Sequence, residues 1–199
     1  GANKINGALA NRFSHLHLEA DVNDWVNWGM SEGNIDSNVI AFIRYRPELL
    51  FDFDKDSVAW ASPRTWESVS DIVKADQKGI VQNSQDQALI GGTVGEGTAT
   101  EFCAFMGMVN TLPDVSEILK NPKGYEISDD PSVLYALTGA LARRADANNF
   151  ADVITYMTRD EMSKEFAVIC VNDAITVSPK LAKTKAYIDF MSEYKDIMS

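Results

Sequence analysis

The sequence predicts a mainly α-helical bundle with one short N-terminal strand. Apolar residues recur at helical spacing along most of the chain, as they do across 66–73. Two segments, at 62–63 and 130–131, place a capping residue directly before a proline, which is typical of a helix start. Only "FSHLHLE", residues 13–19, alternates apolar and polar residues as a half-buried strand does.

The first half of the chain is expected to form short capped helices. Asp21 caps a helix through "VNDWVNWGM" that ends at Gly33, and Asp36 or Ser37 starts the next helix. That second helix stops at Arg46, because a proline follows. Further on, "PELLF" predicts one more helical turn, "DFDKDSVAWA" an acidic loop, and "RTWESVSDIVKA" a helix that opens at the Ser-Pro pair.

The second half also reads as helices separated by turn residues. The candidate helices are "TATEFCAFMGMVNTL", "DVSEILKNP", "DDPSVLYALTGALARRA", "FADVITYMTR", "SKEFAVICVNDAI" and "TKAYIDFMSEYKDIM". Residues 121–129 combine proline, glycine and acids, so they mark a candidate boundary between two helical sub-bundles.

Composition excludes several functional classes. The chain has 199 residues, 45% of them apolar, which suits one large domain or two small ones. It has no apolar run of about 18 residues and no basic segment followed by an apolar block, so we expect a cytoplasmic protein without a membrane span. The net charge of −11 argues against nucleic-acid binding. Cys103 and Cys170 lie in apolar helical contexts and are expected to be buried free thiols.

The glycine-rich stretch "GGTVGEGTATEF", residues 91–102, has the glycine spacing of a phosphate-binding loop but not its chemistry. Thr98 stands where that loop needs lysine, and Glu96 would repel phosphates. We therefore expect a tight turn between two closely packed helices, with Thr98 or Thr100 capping the second helix.

Two arginines are the candidate site residues. Arg64 is the second residue of its helix, where a cation opposes the helix dipole, so it suits a phosphate that also binds the helix N-terminus. The alternative is that Arg64 pairs with the acids of 52–56. Arg12 precedes the predicted strand, and it points outward if Phe13 anchors the strand in the core; by itself it could be an ordinary solvated arginine.

Metal binding has weak support in the sequence. Asp52, Asp54 and Asp56 imitate the opening of a calcium loop, but serine and proline occupy the positions that require glycine and glutamate. His15 and His17 share one face of the predicted strand without a clustered third ligand, so we expect a structural role for them. No metal site is therefore predicted.

Two segments together resemble AAA+ ATPases of the MoxR-like group. "LANRFSHLHLE", 9–19, resembles the end of the ATPase core, where an L-x-x-RF segment leads into the last strand of the parallel sheet. "ASPRTWESVS", 61–70, resembles the sensor 2 segment, a Ser-Pro-Arg at the start of a lid helix. "GGTVGEGTATEFCAFM" and "DPSVLYALTGALA" resemble the C-terminal part of bacterial and phage members, so the resemblance covers most of the chain.

The resemblance implies a role for each arginine. Arg12 would be the arginine finger, which reaches the γ-phosphate bound by a neighbouring subunit. Arg64 would be sensor 2, which reads the γ-phosphate in its own subunit and couples it to lid movement. The sequence has no G-x-x-x-x-G-K-[ST] and no strand ending in Asp-Glu, so the chain looks like the C-terminal portion of such an ATPase and should not hydrolyse ATP alone.

On this resemblance, residues 1–20 would be a remnant of the truncated α/β core including its last strand, 21–112 the helical lid, and 113–199 a helical extension. ATP and Mg²⁺ would be cofactors of the full-length parent, and neighbouring subunits of an oligomeric ring and a remodelled protein substrate would be its partners. The alternative is an independent helical adaptor that binds proteins and has no nucleotide role.

Overall fold

The computed structural model describes residues 6–16, 18–75 and 84–194, and over these ranges the protein is mainly helical. The predicted helical class is thereby confirmed. The α-helices are α1 (Gly7–Ala10), α2 (Val22–Ser31), α3 (Ser37–Tyr45), α4 (Pro63–Ala75), α5 (Ser84–Val94), α6 (Glu96–Val109), α7 (Val115–Lys120), α8 (Pro131–Arg144), α9 (Phe150–Met157), α10 (Lys164–Val177) and α11 (Lys185–Tyr194). The described ranges also contain two 3-10 helices, Pro47–Leu50 and Pro179–Lys183.

The predicted N-terminal strand is wrong for its described residues, 13–16 and 18–19, which form no ladder with any other described segment. Phe13, Leu16 and Leu18 are 60%, 84% and 89% exposed, so the expectation that Phe13 anchors a strand in the core is also wrong. The physical reason is that an alternating pattern makes a strand only where a neighbouring edge takes up its backbone hydrogen bonds. His17 lies outside the described residues.

Local capping chemistry sets the helix starts as the sequence predicts. The Asp21 carboxylate accepts a hydrogen bond from the Asp24 backbone N–H at 2.9 Å, and the Asp36 carboxylate accepts one from Asn38 at 2.8 Å. α3 ends at Tyr45, one residue before the Arg46 position expected from the proline that follows. Each of these features depends only on neighbouring residues, which is why the sequence reveals it.

The buried side chains of the described residues form two hydrophobic clusters. The first gathers α2 to α6 around Trp66, Phe42 and Phe102, whose rings contact one another with centroids 5.2–5.5 Å apart. The second gathers α7 to α11 around fully buried side chains that include Phe150 and Tyr156. The domain boundaries given above remain a prediction.

The helices α3, α8 and α10 connect the two clusters. α8 packs against α3 on one side and against α10 on the other. Ala136 of α8 belongs to the first cluster, whereas Leu137 and Leu141 of the same helix belong to the second. This junction is therefore where both halves of the fold contribute side chains to one surface.

Candidate functional site

Arg64 is the second residue of α4, and hydrogen bonds hold the first turn of this helix in place. The Ser62 hydroxyl accepts a hydrogen bond from the Thr65 backbone N–H at 3.2 Å, and the Thr65 hydroxyl accepts one from the Ser62 N–H at 2.7 Å. One turn into the helix, the fully buried Trp66 donates its indole N–H to the Leu49 carbonyl at 2.7 Å. These bonds fix the first turn of α4 against the core, with Arg64 at its second position.

The guanidinium of Arg64 is exposed at the edge of an open cleft of about 660 Å³. Within the described ranges it has no carboxylate within ion-pair distance, so the alternative pairing with the acids of 52–56 is not seen. The backbone N–H of Arg64 likewise has no acceptor among the described residues. A free N–H and an unpaired guanidinium at one helix start are the two donor types that bind a phosphate group.

Arg46, unlike Arg64, has its charge paired with carboxylates within the described part of the fold. It donates to Glu48 at 2.6 Å and also pairs with Glu101 of α6. These carboxylates raise the pKa of Arg46, the hydrogen bond to Glu48 being the largest cause, and the same bond lowers the pKa of Glu48. Arg64 has no such partners, so its charge remains available for an outside ligand.

Arg12 lies in the exposed turn that follows α1, where its backbone N–H donates to the Leu9 carbonyl at 3.0 Å. No acid of the described residues forms an ion pair with it. The cleft beside Arg64 is not lined by Arg12. The structure therefore does not bring the two predicted site residues together, and a role for Arg12 in a neighbouring subunit's site stays a prediction.

The glycine-rich stretch forms a turn at one glycine only. Gly95 separates α5 from α6 with φ +92°, whereas Gly91 and Gly92 lie within α5 and Gly97 within α6. The expected caps at Thr98 and Thr100 are wrong, because α6 already begins at Glu96 and Gly95 occupies the cap position. The turn reverses the chain so tightly that only glycine fits its backbone conformation.

Both cysteines are buried and free, as expected from their contexts. Burial raises the pKa of the Cys170 thiol strongly, and it also raises that of Cys103. Within 6–16, 18–75 and 84–194, no three His, Cys, Asp or Glu side chains lie close enough to hold a metal ion. In the same ranges, no helix combines the length and the apolar character needed to cross a bilayer.

A second cleft, which we name the junction cleft, opens where the two clusters meet. It has a volume of about 590 Å³ and is lined by α3, α8 and α10, with further residues from α2, α4 and the segment before α3. The lining includes Ser37 and Arg44 of α3, Tyr135 and Arg143 of α8, and Asp173 and Thr176 of α10. Arg44 donates to both oxygens of Asp173, with Nη2 2.8 Å from Oδ1. The carboxylate of this pair is almost fully buried, so Arg44 is held in one orientation.

Comparison with protein-family models, curated proteins and solved structures gives no significant match. The resemblance to MoxR-like ATPases therefore rests on the sequence segments described above alone.

Sequence reasoning did not find the junction cleft. Asp173 stands among apolar residues in "VICVNDAI", at helical spacing from the buried Cys170, and a lone acid at such a position signals a buried carboxylate that needs a cation. Its partner, Arg44, lies 129 residues earlier. Nothing local in the sequence identifies that pairing.

Proposed function

We propose that this chain provides the lid and sensor region of a MoxR-like AAA+ ATPase, with Arg64 contacting the terminal phosphate of ATP. The observation that carries the proposal is the exposed, unpaired guanidinium of Arg64 at a helix start, beside an open cleft. A cation at this end of a helix is unfavourable unless an anion balances it. Placing the phosphate there supplies that anion.

In this proposal, the residues around Arg64 bind the phosphate and couple it to the rest of the fold. Arg64 and the free N–H at the start of α4 bind and orient phosphate oxygens. The caps at Ser62 and Thr65 keep that helix start rigid, and Trp66 ties it to the Leu49 backbone. A pull on Arg64 is therefore transmitted to the first hydrophobic cluster as a movement of the whole helix, which is how the lid would report the state of the nucleotide.

These 199 residues contain no lysine-bearing phosphate loop and no Asp-Glu strand end, so the proposal requires that another part of the ATPase supplies them. In this proposal, Mg²⁺ and that phosphate loop hold the nucleotide, and Arg12 of one subunit approaches the γ-phosphate of the next. Arg12 is exposed and unpaired within the described ranges, as such a role requires. The ring would act on a protein substrate.

The test is ATP turnover by the full-length protein in which this chain is joined to its nucleotide-binding part. Arg64→Ala and Arg12→Ala are each expected to lower turnover by about 10³-fold or more, because each removes a charge that stabilises phosphoryl transfer. Arg64→Lys should recover only part of the rate, since lysine cannot make the bidentate contact.

Arg144→Ala is the matched control, because Arg144 is exposed at the end of α8 and lines neither the Arg64 cleft nor the junction cleft. Its turnover should equal that of the unmodified protein. Normal turnover in both Arg64→Ala and Arg12→Ala would instead favour the alternative, a helical adaptor without a nucleotide role. Thermal unfolding of each variant separates loss of catalysis from loss of fold.

A further inference from the structure

The junction cleft carries an inference independent of the proposed ATPase role. Most of its lining follows the helical repeat on three helices: residues 37, 40, 41 and 44 of α3, 135, 139, 142 and 143 of α8, and 173, 176 and 177 of α10. Residues 29–31, 34–36 and 74 complete it. A volume of about 590 Å³ lies within the range of small-molecule sites, which often occur where two structural units meet.

Over the described ranges, the charged groups around the cleft leave one cation without a partner. Arg44, Lys74 and Arg143 line the cleft, and of these Arg44 pairs with Asp173 and Lys74 with Asp71, 3.3 Å away. The Asp36 carboxylate also lines it and accepts the cap hydrogen bond of α3 from Asn38. Arg143 is exposed and has no carboxylate partner among the described residues, so its charge is not neutralised within the fold.

Arg44 is held in place at this cleft with N–H groups available to donate hydrogen bonds. Both oxygens of the buried Asp173 are engaged with it, and its guanidinium has more N–H donors than the two that Asp173 occupies. Ser37 also lines the cleft, and its hydroxyl oxygen is buried without a hydrogen-bond partner among the described residues. That isolation costs free energy, and a ligand oxygen would relieve it if the Ser37 side chain turned towards the cleft.

Part of the remaining wall is apolar. Ile40 and Ala41 of α3 are buried there, and Tyr135 of α8 also lines the cleft. A simple inorganic anion would leave these groups without contact. We propose that the junction cleft binds a small organic anion with an apolar body, its charged group at Arg44 and Arg143 and its body against this apolar wall.

The probe is anilinonaphthalene sulfonate, an apolar double ring with one negative charge, titrated into the protein while its fluorescence is recorded. We expect one saturable site, and weaker binding of the neutral analogue N-phenylnaphthylamine. Arg143→Glu should weaken sulfonate binding by about fivefold or more. Arg144→Glu makes the same change in net charge at the adjacent exposed residue, which does not line this cleft, and should leave binding within twofold.

Blocking the cleft gives the second readout. Thr176 is exposed at its margin, so Thr176→Trp should fill the opening and remove the saturable site without disturbing the core. The proposal is overturned if Arg143→Glu and Arg144→Glu weaken binding equally, if Thr176→Trp leaves the site intact, or if the neutral analogue binds as tightly as the sulfonate. Circular dichroism and thermal unfolding confirm that each variant is folded before binding is compared.

Discussion

Arg44 of α3 and Asp173 of α10 form a two-pronged ion pair that joins the two hydrophobic clusters. Their side chains are 18% and 7% exposed, so the pair is largely removed from water. Burying two charges costs about as much as their attraction returns, so such a pair fixes an arrangement more than it adds stability. Its main effect is to set how α3 and α10 lie against the helix between them.

Removing the carboxylate alone should therefore be costly. Asp173→Ala leaves the Arg44 guanidinium partly buried without a counter-charge, and we expect the free energy of unfolding to fall by about 3 kcal/mol. Urea denaturation at neutral pH, followed by circular dichroism, measures this change.

The double variant Arg44→Met/Asp173→Leu separates the buried charge from the packing. It should recover most of the stability lost in Asp173→Ala, because no charge then remains buried. Glu117→Ala is the control, since the Glu117–Lys120 pair is exposed to solvent, where ion pairs contribute little to stability. If Asp173→Ala cost no more than Glu117→Ala, the buried pair would have no structural role.

Sequence reasoning succeeded where the determining interactions are local. Asp21 and Asp130 begin helices through bonds to residues two or three positions away, and the Ser62–Pro63 pair begins α4 in the same way. The strand predicted at 13–19 was wrong because strand formation depends on a partner elsewhere in the chain. The alternating pattern suits a strand, but no described segment pairs with it.

The same difference between local and long-range interactions decides which parts of the candidate sites could be predicted. The position of Arg64 follows from its distance to the Ser-Pro cap, so its place at a helix start was visible in the sequence. The pairing of Arg44 with Asp173 spans 129 residues, and the unpartnered Ser37 hydroxyl depends on how α3 and α8 approach. Contacts of that range are set by tertiary packing, which residue spacing does not encode.

The turn between α5 and α6 offers a pair of glycines with opposite expected behaviour. Gly95 has φ +92°, and a Cβ there would lie 3.2 Å from the Ala59 carbonyl oxygen, so Gly95→Ala should lower the free energy of unfolding by about 2 kcal/mol. Gly97 is exposed within α6, and a Cβ there meets nothing within 4 Å. Gly97→Ala should raise stability by up to about 1 kcal/mol.

Urea denaturation of the two single variants tests this contrast directly, because both make the same chemical change two residues apart. The sequence predicts a turn within the glycine-rich stretch as a whole, whereas in the structure only Gly95 of that stretch lies in the turn. Equal destabilisation by the two substitutions would mean that the turn extends through Gly97, contrary to the structure.

Trp66 is expected to hold the Arg64 helix in place. Trp66→Phe removes the indole N–H that binds the Leu49 carbonyl and leaves this acceptor buried, so we expect a loss of about 2 kcal/mol in the free energy of unfolding. Trp60→Phe is the matched control, because Trp60 is half-buried and its ring contacts the exposed Phe53. Chemical denaturation should show a much smaller loss for the control; similar losses would remove Trp66 as the anchor.

The contribution of the α8 cap to the free energy of unfolding should depend on pH through the carboxylate of Asp130. Hydrogen bonds from the Ser132 side chain and backbone hold the pKa of Asp130 below its ordinary value, so this carboxylate stabilises the fold above that ordinary value and stops doing so as pH falls through the lower, folded-state pKa. Asp130→Ala should lower the free energy of unfolding by about 1 kcal/mol at pH 7, with the difference from the unmodified protein shrinking towards pH 2.5.

Asp130→Ser keeps a capping oxygen that does not titrate, so its advantage over Asp130→Ala should stay constant with pH. Urea denaturation across this pH series measures all three proteins, and a pH-independent difference between the unmodified protein and Asp130→Ala would show that the Asp130 charge contributes nothing to the cap.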